Sequence, residues 1–181
     1  MLFKIAVISN EVEDFFREIT IDADADFLAL NEALLESCGY DDSQITCFYT
    51  CSDDWDRQKQ IVREDMGTSP EDEDVYVMDK TRLSELIEDS GQKLIFIFDP
   101  ANDRNFFLEV TDVVTGKRLK KAECSVSRGK APEQLKGFDL DFSTISTGDG
   151  SDLDLDLGSM DDEGYNDDEF DPNSFGIDGE N

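Results

Sequence analysis

Apolar residues recur at every second position in some stretches and at every third or fourth in others, and these two periods lay out the chain. Leu2 to Ser9 (LFKIAVIS) is a β-branched, apolar run that predicts a first strand. Arg17 to Asp22 (REITID) alternates polar with apolar, placing Ile19 and Ile21 on one face of a second. Phe27, Leu30, Leu34 and Cys38 then recur at spacings of three and four, with Leu35 widening the stripe, so the spacing predicts an amphipathic helix over 27–38. Asp24 or Asp26 is placed to cap its free N–H groups. Gly39 is placed to end it, because glycine takes the left-handed cap conformation without a Cβ penalty.

Ile45 to Cys51 predicts a third strand. Residues 52–79 are polar, charged and broken by Gly and Pro; they predict a loop or frayed hairpin with a short return strand at Val75 to Met78. A second helix is expected from Asp79 or Thr81, with Leu83, Leu86 and Ile87 on one face and Gly91 closing it. Lys93 to Asp99 (KLIFIFD) is almost continuously apolar and predicts a central buried strand, stopped by Pro100, which has no N–H for the ladder. Asn105 to Val114 follows across a hairpin turn, and Ala122 to Val126 is a last short strand. The expected fold is α+β: a mostly antiparallel, mixed-order sheet of five to seven strands with helices at 27–38 and 80–90 packed on one face. This domain would span residues 1–138.

Beyond it the composition changes. Residues 139–181 hold 15 acids and no base, mixed with Ser, Gly and scattered aromatics. So little apolar surface cannot offset chain entropy, and a disordered acidic C-terminal tail is expected. The whole chain carries 45 acids against 16 bases, a net −29. The bases are concentrated: residues 1–116 hold 28 acids and 9 bases, but 117–138 hold 2 acids and 7 bases. A short basic segment therefore separates two acidic stretches.

Histidine is absent from the sequence, which removes Ser-His-Asp and Cys-His catalysis, His-ligated zinc and a His general base. No stretch approaches the ~20 apolar residues of a membrane span. A cytoplasmic protein is expected, with Cys38, Cys47, Cys51 and Cys124 as free, buried thiols.

Several clusters invite chemistry. Asp152, Asp154, Asp156 and Glu163 fall at positions of a Ca²⁺ loop, but Leu157 stands where the sharp turn needs glycine, so diffuse cation binding is the simpler expectation. Asp53, Asp54 and Asp56, and Glu71 to Asp74, read as solvated loops. Cys47 and Cys51 share a strand face without the spacing of a zinc knuckle. No catalytic, cofactor-binding or metal-binding residue is assigned, and no cofactor is implied. The candidate partner-binding residues are Tyr165, Phe170 and Phe175, aromatics spaced through acidic sequence, together with the basic residues Lys117, Arg118, Lys120 and Lys121. The leading expectation is a non-enzymatic interaction module whose acidic-aromatic tail binds a protein partner. One alternative is a nucleic-acid-binding accessory protein acting through basic residues 117–136. Another is a carboxylate-dependent enzyme built on Asp42 or Asp99.

Four blocks resemble the plasmid pRiA4b ORF-3-like family: Phe15-Phe16-Arg17 before REITID; a helix ending in Gly39-Tyr40-Asp41-Asp42, followed by Ile45 and Phe48; FIFDPANDRNFFLEV; and Cys124 followed by Ala131-Pro132-Glu133. The resemblance covers residues 15–133. It implies a compact α+β domain of a kind found on mobile elements, and it brings no reaction with it. The chain departs from the family pattern at Gln44, where a histidine is common, and in the third block, where Asp-Phe-Gly-Asp and then Trp and His are usual and this chain has Asp99, Pro100 and then Phe106-Phe107.

Overall fold

A computed structural model of the chain describes residues 1–67 and 75–136. Its elements, in order, are β1 (Leu2–Ser9), β2 (Phe16–Asp22), α1 (Phe27–Cys38), β3 (Cys47–Cys51), β4 (Arg57–Val62), β5 (Tyr76–Val77), α2 (Leu83–Leu86), β6 (Lys93–Asp99), β7 (Arg104–Val114) and β8 (Glu123–Arg128). The strands form one mixed sheet in the order β5-β4-β3-β6-β7-β1-β2-β8. All neighbours are antiparallel except β4 and β5.

Alternation along the strands sends one set of side chains to each face. On one face Phe3, Ile5 and Val7 of β1, Ile19 and Ile21 of β2, and Phe96, Phe106 and Leu108 are sealed under α1, which contributes Phe27, Leu30, Leu34 and Leu35. Burying each such side chain contributes about 1.5–3 kcal/mol. The helix is bounded as its sequence demands: the Asp26 carboxylate accepts from the Ala29 N–H at 2.8 Å, and Gly39 sits at φ 69°.

The opposite face carries a smaller cluster of Cys51, Ile95 and Ile97, flanked by Cys47, Tyr49, Trp55 and Phe107. Trp55 lies in the β3–β4 turn and meets Phe107 edge-on, with centroids 4.9 Å apart. Its backbone is left-handed, at φ 68°, an uncommon conformation for a bulky residue.

Two expectations are corrected. The sheet has eight strands, not five to seven, because RQKQIV is the strand β4. Only Ile61 of it is buried, and with just the two-residue β5 beyond it, the side chains of 57–60 face solvent and leave no alternation in the sequence. The second helix over 80–90 is a single turn, α2, so the face is not packed by two helices. The N–H groups of Leu83 and Ser84 are taken by the carbonyls of Ala25 and Ala23, and at Ile87 the backbone is already extended. These bonds set where the turn begins, and the Gln92 side chain ends it, accepting from the Glu88 N–H and donating to the Leu86 carbonyl. The expected disordered tail lies outside the described residues.

Candidate functional site

The four sequence blocks, far apart along the chain, meet at one end of the sheet. Phe15 stacks on Phe106 at 4.8 Å, and Tyr40, just past the end of α1, packs on Phe98 and Phe106 at 5.4 and 6.1 Å. Over this aromatic layer lie two buried arginines: Arg17 is 4.5 Å from the Phe15 ring centroid and Arg104 is 4.9 Å from that of Phe98.

Both arginines hold the segment that leaves β8. Arg17 donates to the carbonyls of Arg128 and Gly129 at 2.6 and 3.1 Å, and to that of Ser37 at 3.0 Å. Arg104 donates to the carbonyls of Glu133 and Gln134 at 2.7 and 3.2 Å. The Tyr40 hydroxyl donates to the Pro132 carbonyl at 2.6 Å, and Gln134 exchanges two bonds with the Asp41 backbone. Gly129 has φ 66°, and a Cβ there would lie 2.3 Å from the Asp14 carbonyl oxygen. Glycine is required at that approach.

Charge is balanced within the cluster. Arg104 makes a forked pair with Glu11, at 2.8 and 3.0 Å, and a longer contact with Asp99 at 3.3 Å. Arg104 and Asp99 are almost wholly buried. The hydrogen bond from Arg104 holds the Glu11 carboxyl below the usual carboxylate range. Burial pushes Asp99 upward, but hydrogen bonds from Asn102 and Arg104 and the arginine's charge outweigh it, and the net direction is down. Asp99 Oδ1 is buried with no hydrogen-bond partner among the described residues. Asp42, the other carboxylate of an enzymatic reading, is forked onto Arg63, which holds its pKa down.

The basic candidates lie elsewhere, between β7 and β8, in a strap running beside α1. Arg118 and Lys121 pair with Asp24 and Glu36 at 3.4 and 3.2 Å, and all four side chains are at least half exposed. The strap is pinned by its backbone instead: the Leu119 N–H donates to Asp22, and the Lys117 carbonyl accepts from the Met1 amine at 3.0 Å. Lys117 and Lys120 form no ion pair among the described residues. Tyr165, Phe170 and Phe175, the Ca²⁺-like spacing at 152–163, and Glu71 to Asp74 fall outside the described residues.

Among the thiols, Cys51 is buried and Cys38 and Cys47 are half-buried, whereas Cys124 is exposed on the edge strand, correcting the expectation that all four are buried. Burial pushes the Cys38 thiol up to about 11. Arg104 and Glu11 were missed as site residues. The signal available was an arginine following an aromatic strand that ends in Asp99, since a charge beside a buried run needs a partner.

The plasmid pRiA4b ORF-3-like protein family matches residues 2–178, and the chain belongs to that family. No curated protein matches it in sequence. Among solved structures it is similar in fold to MM3350, a protein of unknown function from Methanosarcina mazei Go1. The TM-score is 0.54 at 12% identity, covering 70% of this chain and 68% of that one. No helix among the described residues is long and apolar enough to cross a membrane.

Proposed function

We propose that this protein is a non-enzymatic interaction module in which the acidic segment 139–181 binds a protein partner through Tyr165, Phe170 and Phe175. The observation that supports this reading best is what the buried arginines do. Arg17, Tyr40 and Arg104 direct their polar groups at main-chain carbonyls of residues 128–134, the stretch that leads into the acidic sequence. Groups so engaged anchor a chain segment; they are not presented to a substrate. Acids spaced with aromatics suit a basic or grooved partner, because charge brings the two together and the rings supply apolar area. Four unpaired cysteines fit a reducing, cytoplasmic setting, and the family fits a mobile-element origin.

The test is affinity capture from lysate with the intact chain and a 1–138 truncation, each with and without nuclease. A partner lost on truncation and indifferent to nuclease is the expected result. Nuclease-sensitive capture that appears only on truncation would transfer the function to the basic segment 117–136.

A further inference from the structure

β8 ends the sheet, and its outer edge pairs with nothing among the described residues. It is six residues long and exposed at every position. Natural edge strands are commonly blunted by lysine, proline or brevity. β8 carries neither residue within ECSVSR; its one irregularity is a bulge at Ser125, where the register with β2 shifts between Glu18 and Ile19. The other end of the sheet is different: β5 is two residues long.

A groove runs along β8 on the side facing α1. Its cavity of about 610 Å³ is lined by the small residues Ala33, Ser37, Ala122, Cys124 and Ser127 and by the charged Lys121, Glu36 and Glu123. On the other side of the strand lie Val126 and Arg128, the latter over the Phe16 ring at 4.6 Å. Bases stand at both ends: Lys120 and Lys121 before the strand, Arg128 and Lys130 at its close. This is the basic part of an otherwise acidic sequence, with 7 bases against 2 acids over 117–138.

We infer that the β8 edge is a docking site for an extended acidic segment of another protein, which adds as a further antiparallel or parallel strand. The edge N–H and C=O groups are left to water, and an extended ligand is the one that can pair with several of them in series. The basic ends dictate its charge. Six residues at ~3.3 Å each span about 20 Å, so a short segment suffices. Alternating acidic and apolar residues fit best, because the small side chains Ala33 and Ala122 leave room for one apolar face of the guest. The exposed pairs Lys121–Glu36 and Arg118–Asp24 are weak enough to yield to a stronger acidic ligand. The inference requires that the acidic segment of this chain, whose residues 152–157 alternate Asp and Leu, leave the β8 edge open.

The probe is a ten-residue peptide of alternating Asp and Leu, titrated into the intact chain by fluorescence anisotropy, with hydrogen exchange read on the complex. Saturable binding is expected, with slower exchange at residues 123–128. The double charge reversal Lys120→Glu, Lys121→Glu should weaken it about tenfold or more. A peptide N-methylated at alternate residues, with its charge intact, should lose binding. Equal binding by the N-methylated peptide would mean that charge alone acts, and the strand-addition model falls. It falls equally if the intact chain does not bind, if protection appears away from β8, or if the amides of 123–128 that point away from β2 are already slow to exchange in the free chain. Thermal unfolding of the double variant checks that its fold is retained.

Discussion

Two sets of cations behave oppositely in this molecule. Arg17 and Arg104 are at most 6% exposed, lie over aromatic rings and donate to backbone carbonyls. Arg118 and Lys121 have side chains 81% and 78% exposed and reach single carboxylates, Asp24 in the turn before α1 and Glu36 on it. A guanidinium can be buried because its planar fork distributes several donors among fixed acceptors, and its weak hydration lowers the cost of leaving water. The exposed pairs gain little, because water and salt screen them. Charge in the sequence therefore conceals two environments: one set fixes the backbone leaving β8, and the other stays in water on weak pairs.

Removing the Arg104 guanidinium is the strongest way to break this contrast. Arg104→Ala leaves Asp99 and Glu11 without their partner and frees the carbonyls of Glu133 and Gln134. A loss of about 3–5 kcal/mol is expected in urea unfolding, far more than for any base of the strap. Acid should act in the same direction. Glu11 and Asp99 have lowered pKa values in the folded state, so their contribution is present above the unfolded value near ~4 and disappears as pH falls through the folded values. Thermal melts from pH 7 downward should thus be level until about 5 and then decline, and a profile that declines between 7 and 6 instead would contradict the assignment.

Tyr40→Phe is a finer probe. It deletes one hydroxyl bonded to the Pro132 carbonyl and should cost about 1 kcal/mol while hastening tryptic cleavage at Lys130 and Lys136. At the bottom of the scale, Lys121→Ala should shift stability by no more than about 0.5 kcal/mol. A loss comparable to that from Tyr40→Phe would place Lys121 in the anchoring set and erase the distinction.

The sequence reading succeeded where a local rule operated. Asp26, Gly39 and the stripe from Phe27 to Leu35 set α1 at its observed ends, and KLIFIFD could hardly be anything but a buried strand. It failed where the environment decides. RQKQ is a strand only because its backbone pairs with β3, and LSEL stays a single turn because the Gln92 side chain takes the Glu88 N–H and the Leu86 carbonyl that would continue it. Asn31 illustrates the same limit. It lies on the apolar side of α1, wholly buried, with Oδ1 accepting from the Thr46 hydroxyl at 2.7 Å, and nothing in its neighbourhood of leucines announces that partner. The candidate site was half legible. Arg17, Tyr40, Asp99 and Pro132 each stood in a block, but their convergence on one stretch of backbone needed the topology.

The order of strands also governs how the chain must fold. β1 is flanked by β2, which is synthesised next, and by β7, which appears much later: Ile5 pairs with both Ile19 and Val110. β2 likewise waits for β8, with Phe16 opposite Arg128. An emerging chain therefore forms the β1–β2 hairpin early and holds both of its edges bare until nearly the whole domain has been made. Such distant pairings place the protein among slow folders. Until they form, the apolar hairpin is exposed to association with neighbouring chains. The lag between the first hairpin and its two late partners is the interval in which a chaperone would have most to protect.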